Sequence, residues 1–253
     1  MSDLINLDLT GRTAVVTGGV SGIGLACTQA LARAGAEVVV VDLDQAKAEE
    51  TAAPLGGRGI GADLSDPDVL ASLDVAGDII VNNAGFQRVA PVHEFEPEVF
   101  TAIQRVMVEA PFRLIRNSLP RMYEQGWGRV VNISSAHGLR ASAFKVAYVT
   151  AKHGLEGMSK VVALEGAEHG VTSNCINPGY VRTPLVEKQI ADQAKAHGMS
   201  EDDVVEKVML LRMARKTLVE PAEVADLVLF LCSGSAVSMT GASYTMDGGW
   251  TAS

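Results

Sequence analysis

The stretch SSAHGLRASAFKVAYVTAKHG, Ser134 to Gly154, gathers a hydroxyl, a phenol and several basic groups within a chain otherwise rich in alanine and valine. Tyr148 and Lys152 stand four residues apart on a helical pattern, so they share one face. An ammonium beside a phenol stabilises phenolate, which predicts a lowered phenol pKa. Such a tyrosine is a general acid for carbonyl reduction and a base for alcohol oxidation. Ser135, at the end of a strand-like run, is placed to hydrogen-bond the carbonyl oxygen. Tyrosine–lysine pairs of this spacing also occur by chance on helix surfaces, so the pair alone identifies nothing. His153, directly after Lys152, points elsewhere on a helix and reads as structural.

A second constellation lies near the N-terminus. The apolar run before Thr17 leads straight into TGGVSGIG, Thr17 to Gly24, and then into a helical pattern. A strand, a glycine-rich turn and a helix N-terminus cradle a pyrophosphate, because backbone N–H groups and the helix dipole face the anion. The spacing is G-x-x-x-G-x-G at Gly18, Gly22 and Gly24, not the common G-x-G-x-x-G. Asp42 ends the next apolar run, 24 residues beyond Gly18. A carboxylate there accepts both ribose hydroxyls of an adenosine and repels a 2′-phosphate. With no Arg or Lys in the glycine turn or at position 43, the cofactor expected is NAD. Capping of the following helix is the alternative role for Asp42. Asp63 is placed to contact the adenine edge.

These residues need elements to hold them. TAVVTG (13–18), EVVVVD (37–42), GRGIGADL (57–64), DIIVNNAG (78–85), GRVVNISS (128–135), VTSNCINPG (171–179) and ASYTMDGG (242–249) read as strands. Their continuous apolar character predicts a parallel sheet covered on both faces. Longer segments of helical periodicity alternate with them, among them PEVFTAIQRVMVEAPFRLIRNSLPRM and PAEVADLVLFLCS. The pattern predicts one α/β domain over 1–253, a doubly wound Rossmann-type sheet of about seven strands with helices on both faces. The polar segment 184–216 follows a strand end where ligands bind, and reads as a helical substrate lid or as a plain surface excursion.

Composition narrows the class. The chain is 47% hydrophobic, and 21 basic against 30 acidic residues leave a net charge of −9 with no basic run, which argues against a nucleic-acid partner. No apolar stretch is long enough to span a bilayer, and MSDLINLDLTGR lacks a secretory pattern, so a cytoplasmic protein without a membrane partner is expected. Cys27, Cys175 and Cys232 have no metal-like spacing and read as core fillers, so no metal site is expected.

Taken in order, TGGVSGIG, Asp63, NNAG (82–85), Ser135 thirteen residues before the tyrosine, YVTAK and PGYVRTP (178–184) resemble the short-chain dehydrogenase/reductase family over essentially the whole chain. The resemblance implies a Rossmann-type NAD(P) oxidoreductase, usually a homotetramer. It implies that Ser135 binds the reacting oxygen, that Tyr148 moves the proton, and that Lys152 also holds the nicotinamide ribose. It further places Ser21, Ile23 and Leu64 with the cofactor, Asn83 and Gly85 near the adenosine, and Val181 and Thr183 near the carboxamide. Within the family, NNAGFQRVAPV, the opening stretch, TPLVEKQI and the terminal DGGW are similar to bacterial D-3-hydroxybutyrate dehydrogenases. That likeness assigns Gln87, His137, Lys145 and Gln189 to a small carboxylate substrate, with Trp250 as the C-terminal aromatic. Lys145, Tyr148 and Lys152 share a face if the helix starts early enough, and a short 3-oxo acid needs a cation near its carbonyl. Reduction of a 3-oxoacyl thioester or another small ketone is the alternative activity, and a cofactor-binding scaffold is the alternative class.

One position departs from the family. Where an Asn usually supports a proton-relay water, this chain has Met107, whose thioether cannot donate. Pro111, four residues on, brings no N–H to the Met107 carbonyl, and either frees that carbonyl for the water or simply kinks the helix. The helical patterns over 98–125 and 147–166 suit a subunit interface or core packing equally.

Overall fold

The computed structural model describes residues 7–252, apart from the side chains at 185, 188, 189, 192, 193, 196 and 197. In chain order the elements are β1 (Thr13–Thr17), α1 (Gly22–Arg33), β2 (Glu37–Asp42), α2 (Gln45–Ala52), β3 (Arg58–Gly61), α3 (Pro67–Ser72), β4 (Ile79–Asn82) and α4 (Pro97–Gln104). A π turn (Arg105–Glu109) follows, then α5 (Ala110–Gln125), β5 (Gly128–Ile133), α6 (Val146–Gly166), β6 (Val171–Pro178), α7 (Pro184–His197), α8 (Glu201–Val204), a second π turn (Val205–Met209), α9 (Pro221–Cys232) and β7 (Ser243–Met246). Among the described residues the strands form one parallel sheet in the order β3-β2-β1-β4-β5-β6-β7.

The continuous apolar runs are explained by burial on both faces. Along β1, Ala14 and Val16 pack with Cys27 and Leu31 of α1 and with Val224 and Val228 of α9. Val15 points the other way, into a cluster with Ile80 of β4, Leu114 and Met122 of α5, and Val162 of α6. Side chains alternate across a strand, so a strand with two covered faces has no polar positions to spare. The three cysteines are buried and unpaired, and burial pushes the Cys27 and Cys232 thiols up to about 12 and raises Cys175 as well. They fill the core as expected.

Several strands stop short of their apolar runs. β4 ends at Asn82 rather than continuing to residue 85, β5 at Ile133 rather than 135, and β3 spans only Arg58–Gly61. The residues just beyond are committed to turns. Asn83 bonds the β1 turn, and Ser135 opens a 3-10 turn over Ala136–Gly138. The helix expected through 97–122 is interrupted at Arg105–Glu109, where the Ala110 N–H reaches back five residues to the Arg105 carbonyl. A regular helix would pair the Met107 carbonyl with the N–H of residue 111, which is a proline. The chain widens at that point and continues as α5.

Because β1 lies between β2 and β4, the connections turn outward in opposite directions on its two sides, and a crevice opens beyond the carboxyl ends of β1 and β4. One buried group pins this centre. Asp78, fully buried, accepts from the Thr13 N–H at 2.8 Å and from Nε and Nη2 of Arg121 on α5 at 2.9 and 3.2 Å. Asp78→Ala strands the Thr13 donor and unpairs Arg121, whose side chain is half exposed and regains water. The expected loss is about 2–4 kcal/mol, read as a lower urea midpoint with an unchanged slope.

Candidate active site

The crevice is a cavity of about 730 Å³. One end is the glycine turn. Gly18 and Gly22 both have positive φ, at +63° and +52°, a conformation that costs other residues. Gly24 does not line the cavity; its role is close approach, since a Cβ there would run into the Gly18 carbonyl oxygen and the Asn83 amide. Asn83 Nδ2 donates to the carbonyls of Thr17 and Gly18 at 2.9 and 3.1 Å, and Thr17 Oγ1 accepts the N–H groups of Asn83 and Ala84 at 3.0 Å. The turn is therefore tied to the end of β4. Ser21 and Ile23 face the cavity at the start of α1, opposite Val181 and Thr183 after β6. Thr183 also caps α7, its Oγ1 accepting from the Val186 N–H.

The far side of this end is acidic. Asp42 lines the cavity and accepts from the Leu43 N–H at 2.8 Å and, more weakly, from the Val20 N–H of the glycine turn at 3.4 Å. It does not cap α2; Asp44 does, accepting from the Lys47 N–H. Asp63 and Leu64 line the same wall, and hydrogen bonds from Ser65 hold the Asp63 carboxyl below the usual carboxylate range. The lining near Asp42 and Asp63 contains no Lys or Arg among the described residues. A glycine cradle for phosphate oxygens and carboxylates beyond it with no cation beside them fit a dinucleotide.

At the opposite end the predicted trio comes together. Ser135 leaves β5, and Tyr148 and Lys152 project from the first turns of α6. Lys152 is buried, its Nζ donates to the Ile133 carbonyl at 2.6 Å, and it lies 5.5 Å from the centre of the Tyr148 ring. Burial lowers the Lys152 pKa to about 8, with Cys175 and Glu156 pulling it back up. The expected depression of the Tyr148 phenol is not found. Burial raises its pKa, and the hydrogen bond with Ser135 offsets this in part. Desolvation by the surrounding protein atoms is the larger of the two effects and sets the direction.

Beside the trio stand His137, Lys145, Gln87 and Trp250, all lining the cavity. Lys145 is not on the helix face anticipated for it, because α6 starts at Val146 and Lys145 is its N-cap, with φ −122° and ψ 33°. Its direction is set instead by Phe144, a non-glycine residue at φ +68°, whose carbonyl accepts the Ala90 N–H at 3.0 Å. Burial lowers the Lys145 pKa. Burial first, then the charges of Lys145 and His153, push His137 down to about 4, so it stays neutral at physiological pH. Its Nε2 lies 3.0 Å from Ser142 Oγ, and its ring meets Trp250 edge-on with centroids 4.9 Å apart. Trp250 rides on a turn organised by Asp247, which accepts from Gly249 and Thr251. The side chain of Gln189 lies outside the described residues. In the segment after β6, Ile190, Val204, Met209, Leu210, Met213 and Leu218 form a buried cluster of their own, packed against Trp250.

Three supporting residues escaped the sequence reading. Gln104, at the end of α4, donates its Nε2 to the Ala147 carbonyl at 2.9 Å and so holds the residue before Tyr148. Met107 cannot substitute for that amide; it is buried against Gly85 and presents only thioether and methyl. Asn177 donates to the Ser135 carbonyl at 2.9 Å and to buried Glu156 at 2.6 Å, which anchors Ser135 to α6. The visible signal was Glu156 four residues after Lys152 on an apolar helix. The Gln104 contact spans 43 residues and left no local trace.

Comparison with known proteins identifies relatives over nearly the whole chain. Residues 18–251 match the family model described as enoyl-(acyl carrier protein) reductase. The chain is 45% identical to the D-beta-hydroxybutyrate dehydrogenase of Rhizobium meliloti, covering 95% of this chain and 99% of that one. It is 44% identical to the D-beta-hydroxybutyrate dehydrogenase of Cupriavidus necator, over 96% and 99%. The structure of L-sorbose reductase from Gluconobacter frateurii, complexed with NADPH and L-sorbose, superposes with a TM-score of 0.90 at 29% identity, over 98% and 100%. Gly24→Ala displaces the cradle by about the clash of one methyl group, and is expected to weaken binding of a reduced nicotinamide dinucleotide, NADH or NADPH, about a hundredfold by fluorescence titration while circular dichroism is retained.

Proposed function

We propose that this chain, which belongs to the short-chain dehydrogenase/reductase family and is an oxidoreductase, interconverts D-3-hydroxybutyrate and acetoacetate with NAD. One observation carries the substrate: Lys145, a half-buried cation without an ion-pair partner among the described residues, shares a cavity wall with Ser135 and Tyr148. A desolvated ammonium beside a proton-transfer pair is costly unless an anion joins it. The carboxylate of a short 3-oxo acid is such an anion, one carbon removed from the carbonyl. The relatives named D-beta-hydroxybutyrate dehydrogenase support the same reading.

Each residue then has a task. A bound nicotinamide supplies or accepts the hydride at the substrate carbon. Ser135 Oγ hydrogen-bonds the reacting oxygen, and Tyr148 gives up its phenolic proton to that oxygen in reduction and recovers it in oxidation. The raised phenol pKa keeps Tyr148 protonated at neutral pH, which suits the reductive direction. Lys152, with a pKa near 8, remains mostly charged at neutral pH and stabilises the phenolate that forms. Lys145 supplies the charge for the carboxylate. His137, being neutral, contributes a ring N–H and packing rather than charge, and Gln87 and Gln189 offer amide donors. Gly18, Ser21, Gly22, Ile23, Asp63, Leu64, Asn83, Gly85, Val181 and Thr183 hold the cofactor. Asp42 supports NAD over NADP, because a 2′-phosphate there meets a carboxylate with no cation beside it. Apolar side chains exposed on α5 and α6, Phe112, Val161 and Leu164, support a homotetramer built across these helices. Residues 184–216 act as the lid over the substrate.

NADH oxidation followed in the ultraviolet tests the substrate. Acetoacetate is expected to be turned over and its methyl ester to fall behind by about a hundredfold in kcat/KM, the loss of one charge-assisted contact. Equal turnover of the two would favour a thioester or neutral ketone instead. Tyr148→Phe is expected to lower kcat at least a hundredfold with NADH affinity retained. Asp42→Ala is expected to narrow the preference for NAD over NADP by about tenfold or more in kcat/KM, and an unchanged ratio would remove Asp42 from the cofactor assignment.

A further inference from the structure

A second cavity of about 150 Å³ opens beside the substrate end of the crevice. His137, Lys145, Tyr180 and Trp250 line both cavities and stand at their junction. The outer wall belongs to the stretch after α8, with Val208, Met209 and Leu211 forming an apolar strip and Arg212 beside it. No Asp or Glu lines this space among the described residues, although acidic residues outnumber basic ones in the chain. The Arg212 guanidinium also has no hydrogen-bond or ion-pair partner among the described residues. An anion seated in this concavity meets both cations, half-buried Lys145 at the junction and exposed Arg212 on the outer wall.

The shape narrows the occupant. Liquid water takes about 30 Å³ per molecule, so the space holds a short arm of a few heavy atoms and not a carrier-linked acyl chain. The apolar strip suits methylene, and the planar fork of an arginine suits a carboxylate. We propose that this side cavity receives the second carboxylate of a 3-oxo or 3-hydroxy dicarboxylic acid, with Arg212 as the specificity-determining residue. The first carboxylate lies at Lys145, and the arm toward Arg212 takes the place of the terminal methyl group of 3-hydroxybutyrate. Proton and hydride transfer are unchanged, because the added group is remote from the reacting carbon. The inference deepens the proposed function and rests on its placement of a carboxylate at Lys145.

Glutarate and valerate, of equal length but with two carboxylates and one, isolate the second charge. Calorimetric titration of the full chain with NADH present is expected to show glutarate binding about tenfold more tightly at low ionic strength, a preference that salt reduces because Arg212 is exposed. In Arg212→Gln the two ligands are expected to bind equally, with NADH affinity reporting an intact fold. Equal binding in the unaltered protein assigns the cavity to an apolar tail and overturns the proposal, as does a glutarate preference that survives Arg212→Gln. Acetoacetate turnover on the same samples separates the two readings. No turnover alongside an Arg212-dependent preference sinks the hydroxybutyrate assignment alone, whereas turnover without that preference sinks this inference alone.

Discussion

A buried ammonium must find a partner, and Lys152 finds the carbonyl of Ile133 at the very end of β5. That single bond sets where α6 crosses the sheet, because the helix must bring residue 152 to the point at which the strand runs out. Tyr148, one turn earlier, is thereby carried to the crevice rim beside Ser135. The same helix reaches one turn further to Glu156, which takes the Asn177 amide and the Ser243 hydroxyl and so binds β6 and β7 to the arrangement. The reactive groups are held by hydrogen bonds to strand ends, and their spacing follows from the parallel sheet.

The crevice is divided electrically. Carboxylates stand at the end of β2 and after β3, and ammonium groups stand on and before α6, at opposite ends of one cavity. For an otherwise acidic chain this separation gives the two ends of the cavity opposite electrostatic character. Burial adjusts each group differently. It keeps the phenol protonated and His137 neutral, while it brings Lys152 toward the physiological range. Since the folded pKa of Lys152 lies below its unfolded value, its burial costs stability below about pH 8, a cost relieved as pH rises toward 10.5.

The fold was legible because its signals are local. Apolar runs such as EVVVVD mark strands with two covered faces, and a glycine turn between strand and helix marks a phosphate cradle. Tyr148 and Lys152 were legible for the same reason, since four residues on a helix bring two side chains together whatever surrounds them. Whether Lys145 shares that face was left open by the sequence because the helix start, at Val146, follows from the positive φ of Phe144 and its bond to Ala90, and no periodicity reports such a turn. The phenol pKa was misread because proximity of charge can be counted along a helix, whereas desolvation depends on what closes over the group.

The amino-acid sequence by itself determined the order of strands and helices, the glycine turn between β1 and α1, and the pairing of Tyr148 with Lys152 on one helix face, all of them consequences of local spacing. Tertiary structure alone decided which groups are charged, that Gln104 supports the turn bearing Tyr148, and that Arg212 faces the same space as Lys145. Those outcomes depend on contacts between segments 43 and 67 residues apart, and on the exclusion of water by the packed chain, which no short stretch encodes.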